Sequence, residues 1–306
     1  MDSLIFILKV VLGTVLFTLI LWYAQSRHPR AAGMMLTFPA LNGLGLLTAE
    51  SHDLPLMARA MLPMIALNGC LCTAYIGLQR WLASASPGLP CVGRAWLGVS
   101  CGVLLWSGGA YWGAPLLQSA LLSSLSMLLF IGLYAIGSTP FVVRLWRLPL
   151  DAQSVAGRLP FWTLLHTQWL RVGGVALLLS VVMLVAQYGA TAWAGRLSAL
   201  PLLPFYSLMM LTCPQERQAT SVARLVQVGS TALLGPLVAM LCVWGFMHYL
   251  LLLPLASTTV SYILLGSGGL LSFWGMSGLL IWGVLKGLEA LHAGDPLTKS
   301  RWLCNP

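Results

Sequence analysis

Three basic residues lie inside stretches of the sequence that are otherwise apolar. Lys9 and Arg171 each lie one or two helical turns into such a stretch, and Arg196 directly follows Ala194-Gly195. A charged side chain costs about 3 kcal/mol at the centre of a membrane helix and less near its end, where it can reach the interface. Two interpretations are open. Either these side chains extend to the interface, or they face a central cavity and bind an anionic head group.

Prolines and amide side chains form a second set of candidate groups. Pro39 and Pro201 lie in the first half of two predicted helices, where each removes a backbone hydrogen bond and exposes a carbonyl. Broken helices at corresponding positions of two halves are typical of transporter binding sites, whereas a simple packing kink is the alternative. In the transporter interpretation, Gln25, Gln187 and Asn42 line the solute path with the two kinks.

Few other groups are suited to catalysis or metal binding. There is no HExxH zinc motif, no glycine-rich phosphate loop and no aspartate-rich motif of membrane prenyl transferases. Cys70 and Cys72 lack the second pair or nearby histidine that would complete a zinc site, so they are interpreted as small apolar residues. His166 and His248 are interpreted as interfacial residues rather than haem ligands. We therefore predict that the protein is not an enzyme and holds no metal or cofactor.

The acidic residues are all placed at the predicted membrane edges. Proton- and sodium-coupled carriers commonly use a carboxylate at mid-membrane, because it titrates or binds the cation there. No acid of this chain is placed for that role, which weighs against a proton-coupled exporter of cationic drugs. The acids are Asp2, Glu50, Asp53, Asp151, Glu216, Glu289 and Asp295.

The elements that must position these candidate residues are membrane helices. The chain has 306 residues, of which 58% are hydrophobic and 8% charged, whereas a soluble domain carries about 25% charged residues. This composition excludes a cytosolic enzyme, a secreted disulfide scaffold and a disordered protein. We predict an all-α, polytopic transmembrane protein of about ten helices. The spans are 3–24, 32–50, 57–79, 93–113, 115–138, 165–187, 194–212, 221–243, 246–265 and 268–288.

The sequence contains an internal repeat. With five predicted helices between equivalent points, the two halves lie in opposite orientations across the membrane. We predict a first repeat at 1–142, a connecting cytoplasmic loop at 143–163, a second repeat at 164–290 and a short polar tail at 291–306. A shift of 162 residues pairs Lys9 with Arg171, Gln25 with Gln187, and Pro39 with Pro201.

Basic residues orient the repeats. The chain has a net charge of +9, and its basic residues are spread over helix ends, as in orientation signals, and are not gathered for nucleic acid. Arg80 and Arg94 flank a loop that is predicted to be cytoplasmic, which places the N-terminus outside. Arg59 and Arg196 do not fit this orientation, nor do the basic residues of the tail. A count of nine helices would move the tail inside and remove most of the conflict.

The first two predicted helices resemble a known family. Leu8-Lys-Val-Val-Leu-Gly13, followed by Ala32-Gly33-Met-Met-Leu-Thr-Phe38-Pro39, is similar to the opening of the GlpM family of small bacterial inner-membrane proteins. The resemblance covers roughly residues 5–80 and, more faintly, 167–245. It implies a bacterial inner-membrane protein built by duplication, with a loose link to exopolysaccharide production, and it supplies no catalytic residues.

Together these features predict a transporter or flippase for an anionic or lipid-linked solute in the bacterial inner membrane. Lys9, Arg171 and Arg196 would attract the negative group. The alternative is a non-transporting membrane subunit or anchor of an envelope or exopolysaccharide assembly, in which the polar groups serve helix packing. The expected partners are membrane lipids and an anionic small molecule or lipid-linked substrate, with no nucleic acid.

Overall fold

The computed structural model describes four continuous parts of the chain and a set of shorter helical positions. The continuous parts are residues 54–86, 88–146, 191–199 and 233–252. The other described positions are 7, 11, 14, 15, 42, 46, 173, 176, 177, 180, 208, 268, 269, 272, 275, 278–280, 282–284, 286 and 287. All of these residues are helical apart from short turns, and no strand occurs among them.

The continuous parts contain six α-helices and one π-helical turn. They are α1 (Leu54–Ala85), α2 (Cys91–Gly108), the π turn (Gly109–Gly113), α3 (Ala114–Ala120), α4 (Ser124–Trp146), α5 (Thr191–Ser198) and α6 (Leu234–Leu252). Three helical stretches are long and apolar enough to cross a membrane, namely Leu54–Ala85, Ser124–Val142 and Leu234–Leu252. The protein is therefore all-helical in its described parts and compatible with insertion in a membrane.

The longest helix, α1, lies at the centre of the described fold. It contacts all the other continuous helices and the π turn. Leu54, Ala58, Met61 and Leu62 have no solvent-exposed surface, which is expected for a helix that is apolar on nearly every side. Pro63 lies inside this helix and is buried, so it removes the N–H that would otherwise bond to the carbonyl four residues earlier.

The helices α1 and α2 form an antiparallel pair. The Gln79 side-chain amide donates to the Arg94 carbonyl oxygen at 2.8 Å, close to the turn at residues 86–90. Further from the turn, a Cβ added to Gly98 would lie 2.6 Å from the Tyr75 ring. A small residue at this position lets the two helices approach closely, as is common between membrane helices.

The helix α4 runs parallel to α1, and α6 runs antiparallel to both. A Cβ added at Gly69, on α1, would lie 2.6 Å from the Pro236 side chain on α6 and would also contact the hydroxyl of Tyr134 on α4. The same hydroxyl donates to the Leu233 carbonyl oxygen at 3.0 Å, which places the start of α6 beside the middle of α4. At the start of α4, Ser124 instead contacts the end of α6.

The outer surface of α2, the π turn and α3 is strongly apolar. These elements follow one another without a break, and their exposed residues include Leu104 at 72%, Trp112 at 71% and Leu116 at 73%. A continuous exposed apolar surface of this kind is unfavourable in water and suits a lipid environment. This stretch therefore packs one side on the core and exposes an apolar side that is compatible with contact with lipid.

Two predicted helix boundaries are wrong. The break predicted near residue 114 is absent, and the chain stays helical to Ala120 before turning at residues 121–123. Pro115 lies in the first turn of α3, where a proline is tolerated, so it does not end the helix. The loop predicted at 245–249 lies within α6, because a lone glycine costs only about 1 kcal/mol in a helix and does not stop it.

Two further helix ends differ from the predicted spans. The helix α4 continues to Trp146, past the predicted end of its span at residue 138. The helix α5 begins at Thr191, three residues before the predicted span at 194. Helix termini are the least certain feature of a periodicity analysis, because apolar patterns fade gradually at membrane edges.

The ends of the described helices carry unequal numbers of arginines. Arg80 and Arg94 lie near the turn at 86–90, and Arg144 lies in the last turn of α4 at the same side of the bundle. The opposite side, near the turn at 121–123, has two, Arg59 and the buried Arg196 of α5. We expect topology reporters fused after Ser86 to report the cytoplasm and those fused after Leu122 to report the periplasm. The reverse result at both positions would refute the predicted orientation.

Candidate functional site

Two of the eight predicted site residues lie among the described residues. Asn42 is helical and only 7% exposed, and Leu46, one turn later, is fully buried, so this face points into the protein. Arg196 is also buried and is treated below. The other six lie outside the described residues, and their roles stay predictions. They are Lys9, Gln25, Pro39, Arg171, Gln187 and Pro201.

Gly195 brings the backbone next to Arg196 into close contact with α1. A Cβ added to Gly195 would lie 2.6 Å from the Met57 carbonyl oxygen and 3.0 Å from the Ala60 Cβ. The backbone of α5 therefore packs directly on the backbone of α1, which no larger residue at this position would allow. Because Arg196 is the next residue, its side chain starts from within the helix interface.

Arg196 is 7% exposed and makes three contacts with described residues. Its Nη1 donates to the Ala110 carbonyl oxygen at 3.1 Å, and its Nη2 donates to Gln118 Oε1 at 3.2 Å. The guanidinium carbon lies 4.9 Å from the centre of the Trp193 ring, a cation–π geometry. The Nε–H is buried and has no hydrogen-bond partner among the described residues.

The π turn explains why the Ala110 carbonyl accepts from an arginine. In this turn the Ala114 N–H bonds to the Gly109 oxygen, five residues back, instead of to the Ala110 oxygen. In the same register the Ala110 oxygen would accept from residue 115, which is a proline and has no N–H. The carbonyl is thus left without a helical donor, and Arg196 supplies one.

No carboxylate neutralises this guanidinium within the described structure. The described residues include no aspartate or glutamate, since all seven acids lie elsewhere in the sequence. Arg196 is surrounded instead by carbonyl oxygens and an aromatic face. A buried cation that has no counter-ion is costly, and an anion brought to it would lower that cost.

Asn68 ties the end of α5 to the middle of α1. Its Nδ2 donates to the Ala199 carbonyl oxygen, while its Oδ1 is buried and has no partner among the described residues. The Ala199 N–H in turn bonds to the Arg196 carbonyl oxygen at 3.2 Å. The backbone that follows Arg196 is therefore fixed to α1, which holds the arginine in place.

Arg59 is a residue that the sequence analysis did not include in the site. It lies on α1, half-buried, and its Nη2 donates to the Leu122 carbonyl oxygen at 2.6 Å, while its Nε is buried without a partner in the described structure. Leu122 follows Gln118 by four residues, so the two guanidinium groups reach the same segment. The available signal was topological, since Arg59 and Arg196 both disagree with the predicted orientation.

Ser124, Trp244 and His248 link α4 to α6. The Ser124 hydroxyl lies 2.7 Å from His248 Nε2, and it accepts a hydrogen bond from Trp244 Nε1 at 2.9 Å. The Trp244 and His248 rings meet edge to face with their centres 4.6 Å apart. Because the tryptophan occupies a lone pair of the serine oxygen, this group is better suited to joining helices than to nucleophilic attack.

One further motif belongs to the described helices. Gly98-Val99-Ser100-Cys101-Gly102 matches the Gly-x-Ser-x-Gly pattern of serine hydrolases. That motif requires a sharp turn between a strand and a helix, whereas here it lies in the middle of α2 with Ser100 exposed. The match therefore carries no nucleophile.

Cys70 and Cys72 do not form a common site. They are two positions apart on α1, which places them on different sides of the helix, and Cys70 is exposed while Cys72 is buried. No group of metal-binding side chains occurs among the described residues.

Comparison with known proteins adds no relative. No family model matches this chain, and no curated protein or solved structure is significantly similar to it. The likeness to the GlpM family therefore stays a prediction, and the function has to be argued from the residues themselves.

Proposed function

We propose that the protein is an integral inner-membrane transporter or flippase for an anionic or lipid-linked solute. The observation that carries this proposal is Arg196, a buried cation that donates to Gln118 and lies against the Trp193 ring. Intramembrane ionisable residues are costly and usually face a solute path or a cavity. Lys9 and Arg171 would add positive charge, and Gln25, Gln187 and Asn42 would line the path with the kinks at Pro39 and Pro201.

Burial at equivalent positions supports the proposed duplication. Over residues 8–46, where the repeat aligns without a gap, the shift of 162 residues pairs four positions that are described in both halves. In each pair the two members have the same burial, either both exposed, both half-buried or both buried. Leu46 and Leu208, for example, both have no exposed surface. The other pairs are Val11 with Gly173, Thr14 with Ala176, and Val15 with Leu177. The agreement does not extend to residues 71–86, where the same shift pairs the exposed Gly77 with the fully buried Ala239.

The orientation of α1 and α6 supports an inverted repeat. The helix α1 contains the third predicted span of the first half, and α6 contains the end of the third span of the second half and the start of the fourth. These two helices run in opposite directions, as equivalent helices of inverted repeats do. We include a GlpM-like origin and a bacterial inner-membrane location in the proposal.

The alternative is a non-transporting subunit or anchor of an envelope or exopolysaccharide assembly. The contact between Arg196 and the Ala110 carbonyl favours it, because the arginine there acts as a structural donor to an unsatisfied backbone group. Under this alternative, the positive charge is incidental, and any side chain that donates a hydrogen bond at position 196 serves equally well.

A lipid translocation assay separates the two functions. We expect proteoliposomes containing the protein to flip fluorescent phosphatidylglycerol, measured by dithionite bleaching, with zwitterionic phosphatidylcholine as the control of zero net charge. Arg196→Lys, which keeps the charge, should retain most of this rate, and Arg196→Gln, which keeps a donor only, should lose about tenfold. No translocation by the unaltered protein would favour the non-transporting subunit, and equal rates in the two variants would show that the charge of Arg196 does not act on the solute.

A further inference from the structure

We infer that Arg59 and Arg196 together bind a phosphate group, which enters from the side of the bundle where α4 begins. This inference rests on the proposed function and deepens it by naming the chemistry of the anionic group and a second residue that holds it. The charged atoms come from two different helices, α1 and α5, and from the two halves of the sequence.

Both guanidinium groups donate to residues of the segment 118–122. Arg196 reaches Gln118 at 3.2 Å and Arg59 reaches the Leu122 carbonyl at 2.6 Å, so their targets are four residues apart. Their own helices also touch at this level, because Gly195 packs on Met57 and Ala60, which flank Arg59. Two like charges near one segment repel each other, and a negative group between them would offset that repulsion.

Each guanidinium retains a donor that the described structure does not use. The Nε atoms of Arg59 and Arg196 are both buried and both lack a partner among the described residues. Buried N–H groups are nearly always paired, so an acceptor placed between these two arginines would satisfy both donors. Arg94 Nε, near the turn at 86–90, is unpaired in the same way, so it is the proximity of Arg59 and Arg196 to one segment that distinguishes them. A guanidinium offers its donors in a planar fork that matches the oxygens of a phosphate or a carboxylate.

The charge balance favours phosphate over carboxylate. The two arginines together carry two positive charges. A phosphate monoester carries a charge of about −1.5 to −2 at neutral pH and has three acceptor oxygens, so one such group neutralises both cations. A single carboxylate would leave one of them uncompensated.

The position of Arg59 indicates the side of entry. It lies five residues from the start of α1, beside the turn at 121–123, whereas Arg196 reaches deeper, to Ala110 in the π turn. In the predicted orientation this is the periplasmic side, where basic residues are not needed to set the topology. A phosphate group entering there meets Arg59 first and Arg196 second.

The test measures binding in the purified full-length protein, without any requirement for transport. One arm titrates inorganic pyrophosphate into detergent-solubilised protein, and the other reconstitutes the protein in nanodiscs with increasing phosphatidic acid. Affinity is read by calorimetry in the first arm and by the rise in melting temperature in the second. Binding in the first arm alone identifies a soluble phosphate solute, and binding in the second alone identifies a lipid phosphate. Either result supports the site.

Matched variants make the test specific. Arg59→Gln and Arg196→Gln should each weaken binding by about tenfold or more, because each removes one of two charges. Arg80→Gln removes an exposed arginine from the other end of the same helix α1 and should bind as the unaltered protein does. If Arg196→Gln fails to fold, Arg59→Gln decides, since Arg59 makes a single described hydrogen bond.

Binding that is absent in both arms, or unchanged in Arg59→Gln, would overturn the two-arginine site. That failure leaves the proposed transport untouched, because translocation can depend on Arg196 alone. Conversely, binding that needs both arginines in a protein that translocates nothing would refute the transporter and leave the phosphate site standing.

Discussion

Replacing Arg196 with methionine should lower the free energy of unfolding by about 3 kcal/mol. The change removes two hydrogen bonds and leaves the Ala110 carbonyl buried with no donor, while a methionine of similar length keeps most of the packing. Denaturation in a graded mixture of mild detergent and dodecyl sulfate measures the difference. This variant also removes the positive charge, so it cannot separate stability from anion binding. It is used to measure stability alone.

The cause of this loss can be isolated with a second substitution. Pro115→Ala supplies the N–H that the π turn lacks, so the Ala110 oxygen gains a backbone donor of its own. In that background Arg196→Met should cost about 1 kcal/mol less, which is the usual net value of one hydrogen bond. Pro140→Ala, inside α4, is the matched control and should leave the cost of Arg196→Met unchanged. Strict additivity with Pro115→Ala would show that the π turn and the arginine are independent.

A single methyl group at position 195 should be nearly as damaging. The Cβ of Gly195→Ala would lie 2.6 Å from the Met57 carbonyl oxygen, and a backbone atom cannot rotate away as a side chain can. The helices α5 and α1 must then separate, with an expected loss of about 3 kcal/mol of unfolding free energy. The same shift moves Arg196 away from Gln118, so phosphate binding should weaken in parallel.

Gly77→Ala provides the control for this prediction. Gly77 lies on α1, and a Cβ there would have no atom within 4 Å. Alanine is a better helix former than glycine by about 1 kcal/mol, so this variant should be neutral or slightly more stable. If Gly195→Ala is as stable as Gly77→Ala in the same denaturation assay, the close approach of α5 and α1 does not hold the fold together.

The sequence was sufficient to predict an all-helical protein compatible with a membrane and to single out its most informative charge. The all-helical class follows from the long apolar stretches, and Arg196 stands out because an arginine inside an apolar stretch is rare and costly. The break expected at Gly245 did not occur, because helix ends in an apolar segment depend on the surrounding packing, which composition does not report. The sequence pattern thus predicts that a segment is helical, whereas tertiary contacts determine where the helix ends.

The partners of the two arginines could not be read from the sequence. Arg196 and Arg59 bind the main-chain oxygens of Ala110 and Leu122, and every residue has such an oxygen. Which carbonyl is free depends on the π turn, and its register shift leaves no pattern in apolar residues. A search for residues that do not fit the predicted orientation would have found Arg59. It would not have shown that Arg59 lies near Arg196.

The π turn also determines in which direction, about the helix axis, the side chains of α3 point. A π turn accommodates one residue more than an α-helical turn, which is equivalent to an insertion into a continuous helix. Removing that residue would turn α3 by about 100° relative to α2, since each residue of an α-helix contributes that angle. Gln118 would then leave the side facing Arg196, and Trp112 and Leu116 would no longer share the lipid-facing surface of α2. The length of the segment from Gly109 to Gly113 is therefore as strictly constrained as the identity of any residue that contacts the arginine.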